Sequence, residues 1–146
     1  MSDTTPSLSD IVGALERALR TEPVPGLVSV YVFGSHAAGR PHRESDIDLG
    51  VLLDRRVHPS KEARFRERVR FSAWAVGVLH RNAVDVVVLN DAPPHLGRHI
   101  VTSGCRVVSL DAEADHAYLR DVQLQAADLT PFLDRMRRIK LDALAR

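Results

Sequence analysis

Three short runs decide most of what this chain can become: LVSVYVF at 27–33, IDLGVLL at 47–53 and VDVVVL at 84–89. Each is apolar and β-prone, too short for an ordinary helix, and bounded by Gly, Asp or Asn. Each reads as a strand, and Cys105–Leu110 reads as a shorter fourth. Helical spacing fills the gaps. Leu8, Ile11, Val12, Leu15 and Leu19 predict a helix over 8–21, opened by a Ser7–Asp10 capping box and ended by Pro23, Pro25 and Gly26. Phe65, Val69, Ala73, Val76 and Leu79 predict an amphipathic helix over 61–80, with that face on the core. Asp91, Pro93 and Pro94 open a short helix that Gly104 closes. From Glu113 onward the pattern is helical, broken or bent at Pro131. The order α-β-β-α-β-α-β-α specifies an α+β (mixed α/β) fold, with one mixed sheet of about four strands covered by helices. Residues 1–146 read as one domain.

Composition narrows the class. The chain has 146 residues, enough to bury a core without disulfides or a structural metal. Its net charge of +1 gives no global attraction to nucleic acid or an acidic membrane, so neither is expected as a partner. The lone Cys105 permits no disulfide framework and suits a reducing compartment. The first residues, MSDTTPSLSD, lack a basic segment followed by an apolar one, and no apolar run approaches the length of a membrane span. A cytoplasmic location is the expectation.

The stretch FGSHAAGRPHRESDIDLGVLL, 33–53, does not fit a plain core strand. Residues i and i+2 of a strand share a face, so Asp46 and Asp48 project side by side with Ile47 opposite. Adjacent carboxylates repel, and one is pushed toward protonation unless a cation sits between them. Asp85 is the same problem in a run that is otherwise apolar, where an ionised carboxylate needs a partner. If its strand lies beside that of Asp46 and Asp48, three carboxylates converge. Hard oxygen ligands without imidazole or thiolate suit Mg²⁺ or Mn²⁺, and two such ions are a standard arrangement for in-line displacement at phosphorus. Blander accounts exist: S-D-x-D is commonly a solvated turn, and Asp85 could pair with an arginine such as Arg81. Upstream, Gly34 lets the backbone approach a ligand closely, and Ser35 adds a hydroxyl beside N–H groups that favour phosphate.

Gly34-Ser35, ten residues, then Asp46-Ile47-Asp48, with Asp85 on a later strand, resembles the signature of the DNA-polymerase-β-type nucleotidyltransferase superfamily. The small size and the ending DLTPFLDRM resemble the minimal nucleotidyltransferases, the antitoxin partners of HEPN ribonuclease toxins. The resemblance implies a polymerase-β-like fold. It implies that Gly34 and Ser35 hold the triphosphate of ATP, that Asp46 and Asp48 bind two Mg²⁺ ions, and that Asp85 binds one ion and is the candidate base. The implied activity is transfer of AMP to a tyrosine of the cognate HEPN toxin, in a hetero-oligomer with that toxin. One departure stands out: Ala38 occupies the place where many relatives carry an arginine. Arg40, Arg43 or His36 would then supply the phosphate contact. Two alternatives share the scaffold: an antitoxin that occludes its toxin without chemistry, and a nucleotidyltransferase acting on a small molecule such as an aminoglycoside.

Other features read as structural. His95 and His99 have a zinc-compatible i, i+4 spacing but no third ligand, so a solvated face is expected. Cys105 is expected to be buried, and the aromatics around Trp74 are too scattered for base stacking. The basic runs Arg64–Arg70 and Arg135–Lys140 read as solvated faces that could meet an acidic partner. No Arg–His pair has the four to six intervening residues of the HEPN motif, so the chain is not expected to be the toxin.

Overall fold

The computed structural model describes residues 5–39 and 46–144, the side chains of 129, 130 and 142–144 excepted. Helix α1 (Leu8–Thr21) starts where the sequence places it, because Ser7 and Asp10 close a reciprocal capping box. The Asp10 N–H donates to Ser7 Oγ at 3.1 Å, and the Ser7 N–H donates to Asp10 Oδ2 at 3.3 Å. Strands β1 (Leu27–Phe33) and β2 (Ile47–Leu53) follow. Then come α2 (Lys61–Leu79), β3 (Val84–Val88), a 3-10 turn (Leu89–Asp91), α3 (Pro94–Ser103), β4 (Cys105–Ser109) and α4 (Ala112–Leu144).

The strands form one mixed sheet in the order β3-β2-β1-β4. β1 is antiparallel to both β2 and β4, whereas β2 and β3 are parallel. A parallel pair needs a crossover, and α2 supplies it. Alternation sends Ile47, Leu49 and Val51 to one face, where Ile11 and Leu15 of α1 and Phe71 and Ala75 of α2 cover them. Tyr31 and Leu52 face the other way, toward Ile100 of α3 and Tyr118 of α4. The central strands are therefore buried on both faces, which explains their near-continuous apolar sequence.

Two expectations are corrected. The face of α2 on the core is not the one marked by Phe65, Val69 and Ala73. Phe65 and Val69 are 58% and 55% exposed, while Arg64, Glu67, Phe71 and Ala75 are buried. The helix has two partly apolar faces, and polar anchoring chooses between them. Arg64 donates from Nε and Nη2 to the two oxygens of Asp91, at 2.9 Å each, which turns Phe71 inward. The second correction is to the break at Pro131, since α4 runs through that residue as one helix.

On the α3/α4 face, Asp115 is fully buried. It accepts from Tyr31 Oη and from Arg106 Nη1, both at 2.9 Å. Burial, then Asp115 itself, raises the Tyr31 hydroxyl far above its ordinary value. Asp115→Ala strands the buried Tyr31 hydroxyl and frees a half-exposed guanidinium. We expect a loss of about 2–3 kcal/mol in urea unfolding, against a much smaller loss for Asp54→Ala, which breaks a pair with the exposed Arg56.

Candidate active site

The end of β1 and the starts of β2, β3 and β4 meet at one end of the sheet. Here the register aligns Phe33 with Asp48, Asp48 with Asp85, and Val32 with Cys105. The strands of the three aspartates are thus neighbours, as their sequence pattern requires. Ile47 is fully buried in the α1/α2 core, so Asp48 points to the opposite face and is half-buried. Asp46 lies just before β2 and is exposed.

Electrostatics ties the three carboxylates together. The Asp48 carboxyl is raised above its ordinary value, first by burial, then by the charge of Asp85, then by that of Asp46. This is the repulsion expected of carboxylates that share a site without a cation. The structure aligns them without closing a cage: among the described residues, no group of three His, Cys, Asp or Glu side chains is arranged to hold a metal ion. Asp85, on the edge strand, instead has its Oδ1 3.8 Å from Arg68 Nη2. The donor set nevertheless fits a divalent cation, since it offers hard oxygens only and carries an unrelieved repulsion centred on Asp48.

Gly34 binds the turn to the carboxylates. Its φ is +76°, and a Cβ there would run into Asp48 Oδ2. Glycine is thus required twice over, for the left-handed backbone and for the close approach of Asp48. The turn continues with bonds from the Ala38 N–H to the Gly34 carbonyl at 3.0 Å and from the Gly39 N–H to the His36 carbonyl at 3.4 Å, and Gly39 takes φ +73°. Ser35 is half-buried and His36 is 1% exposed. Arg40 and Arg43 lie outside the described residues.

Sequence reasoning passed over Arg68, reading its basic run as solvated. Its Nε donates to the Val86 carbonyl at 2.7 Å, which fastens α2 to the open edge of β3. The available signal was the i, i+4 spacing of Arg64 and Arg68 beside Phe71. Of the remaining features, His99 is exposed and His95 half-buried, and Cys105 is half-buried rather than fully so. A cavity of about 400 Å³, lined by Val28, Leu52, Asp54, Arg55, Tyr118 and Asp121 among others, opens at the opposite end of the strands. It is remote from the aligned carboxylates.

Comparison with known proteins agrees with this geometry. The family model described as polymerase beta, nucleotidyltransferase matches residues 15–113. The fold is similar to the crystal structure of a toxin–antitoxin with AMP-PNP, at TM-score 0.61 and 24% identity, covering 92% of this chain and 98% of that one. It is also similar to an MNT antitoxin in complex with the tri-AMPylated HEPN toxin of Shewanella oneidensis. There the TM-score is 0.58 and the identity 21%, covering 93% of this chain and 97% of that one. At these identities the likeness establishes the fold. A comparison with curated protein sequences gives no match.

Proposed function

Because the chain belongs to the polymerase β nucleotidyltransferase family, we propose that it transfers AMP from ATP to a tyrosine of a cognate HEPN ribonuclease toxin, with Mg²⁺, and so silences it. The observation that carries this reading is the alignment of Asp48 with Asp85 across the parallel strands, with Gly34 packed on Asp48. The two similar antitoxin structures support it, one having AMP-PNP and the other an AMPylated toxin.

Asp46 and Asp48 would hold two Mg²⁺ ions and Asp85 one of the pair, with Mn²⁺ as a substitute. Bound there, the ions supply charge neutralisation at the transferring phosphate. Gly34 and Ser35 would cradle the triphosphate through backbone N–H groups and the Ser35 hydroxyl. Arg40 and Arg43 follow the turn and would supply the cationic contact that Ala38 cannot. The tyrosine oxygen forms a bond to the α-phosphorus, and the α–β bridging bond breaks to release pyrophosphate. The hydroxyl proton passes to Asp85, the base on the exposed edge. A tyrosine hydroxyl has a pKa of about 10, so this assistance matters at neutral pH.

A protein acceptor suits the surface. In the C-terminal half of α4, Phe132, Leu133, Met136 and Ile139 are exposed, and Arg135, Arg137, Arg138 and Lys140 lie among them. An apolar stripe of this kind on a protruding helix is the mark of a docking face. No helix among the described residues is long and apolar enough to cross a membrane, and we place the reaction in the cytoplasm. The test is incubation with Mg²⁺, α-labelled ATP and the product of the neighbouring reading frame. Label should appear on that product. Its absence, with partner and metal both shown to bind, would sink the proposal. A second reading, occlusion without chemistry, draws on Ala38 and the unclosed carboxylates; under it, aspartate variants would still protect cells from the toxin.

A further inference from the structure

Arg68 sits where α2 crosses the open edge of the sheet. Nε and one Nη of a guanidinium donate along the same edge of a rigid planar group. Nε is committed to the Val86 carbonyl at 2.7 Å. Fixing that prong fixes the aim of Nη2, which lies 3.8 Å from Asp85 Oδ1. The backbone atom that aims Arg68 belongs to the residue next to its target, so the pair moves with β3. Asp85 is 57% exposed and faces this cation, while Asp48 still feels the charges of Asp85 and Asp46. The three carboxylates interact without forming a closed metal cage.

We infer that Arg68 is a positioning residue that competes with the divalent cation for Asp85. It acts as a resident counter-charge that holds this carboxylate toward α2 and must be displaced when an ion binds. The inference rests on the assignment of Asp46, Asp48 and Asp85 as metal ligands. An exposed pair of this length is weak, which suits a latch that an ion opens without large cost.

The experiment titrates the full chain with Mn²⁺ alone and reads bound ion by electron paramagnetic resonance. Arg68→Ala should bind Mn²⁺ about fivefold more tightly than the unaltered chain, the worth of one exposed ion pair. Arg68→Gln, which keeps a donor for the Val86 carbonyl, should do the same and covers the case in which Arg68→Ala fails to fold. Arg70→Ala removes the same charge one residue-pair along α2, from a side chain engaged with Glu67, and should change affinity by less than twofold. In an Asp85→Asn background, Arg68→Gln should have no effect. Weaker or unchanged binding in both Arg68 variants overturns the inference. So does a gain no larger than that of Arg70→Ala, or a gain that survives Asp85→Asn. If Asp48→Asn leaves Mn²⁺ binding unchanged, the ligand assignment itself has failed, and that outcome is distinguishable from the others.

Discussion

Asp48→Asn is expected to abolish AMP transfer, by roughly a thousandfold or more, while the folded chain becomes no less stable. The two effects have one cause. Asp48 is the half-buried member of the cluster, and burial first, then the charges of Asp85 and Asp46, raise its carboxyl above the ordinary value. A group whose folded pKa lies above its unfolded value opposes folding once it is ionised. At pH below both values the carboxyl is protonated in either state, and the variant gains nothing. As pH rises through the carboxylate range, the ionised side chain repels Asp85 and Asp46, and the amide does not. The variant should therefore match the parent in acid and exceed it near neutral pH, in urea unfolding without metal. With saturating Mg²⁺ the order should reverse, because only the parent gains from binding. A variant that is inactive and also less stable without metal would show that Asp48 serves the fold and not the ion.

Gly34→Ala should be the most damaging single-methyl change in the site, and Gly39→Ala provides its control. Both glycines have a left-handed backbone, at φ +76° and +73°. Each alanine therefore costs about 1–2 kcal/mol of backbone strain. At Gly39 no described atom lies within 4 Å of an added Cβ, so among the described residues only the strain applies. At Gly34 the Cβ meets Asp48 Oδ2, and either the turn or the carboxylate must move. We expect Gly34→Ala to lose about 1–2 kcal/mol more than Gly39→Ala in unfolding. It should also lose ATP and Mn²⁺ binding together, as followed by calorimetry. Equal losses in the two variants would mean that Gly34 is needed for its conformation alone.

Much of this architecture was legible because local signals agreed with one another. The capping box at Ser7 and Asp10 fixes the start of α1. The strands announce themselves because burial on both faces leaves no room for polar alternation. The pairing of Asp48 with Asp85 could be anticipated as well, since an isolated carboxylate in VDVVV has few other physical justifications. The buried face of α2 could not. Phe65 and Val69 satisfy helical spacing as well as Phe71 and Ala75 do, and the choice is made by Arg64 reaching Asp91, 27 residues away. The link from Arg68 to the Val86 carbonyl was hidden for a similar reason. Arg64 and Arg68 share a helical spacing beside Phe71, but Arg66 and Arg70 have the same spacing, so the run does not single out Arg68. Nor does Pro131 break α4: a proline removes one helical hydrogen bond and crowds one carbonyl, which a helix of 33 residues can absorb.

The strand order also sets the sequence in which the site comes into being. Gly34, Ser35, Asp46 and Asp48 belong to β1, β2 and the turn between them, so the pairing of Phe33 with Asp48 joins residues close in the chain. Asp85 takes its place only after the whole crossover through α2 has been made, and parallel strands joined by so long a connection close slowly. During synthesis the Gly34 turn and two carboxylates can therefore assemble before the third carboxylate has left the ribosome. The proposed site is complete only with β3, the edge strand, and so with a sheet that is already committed.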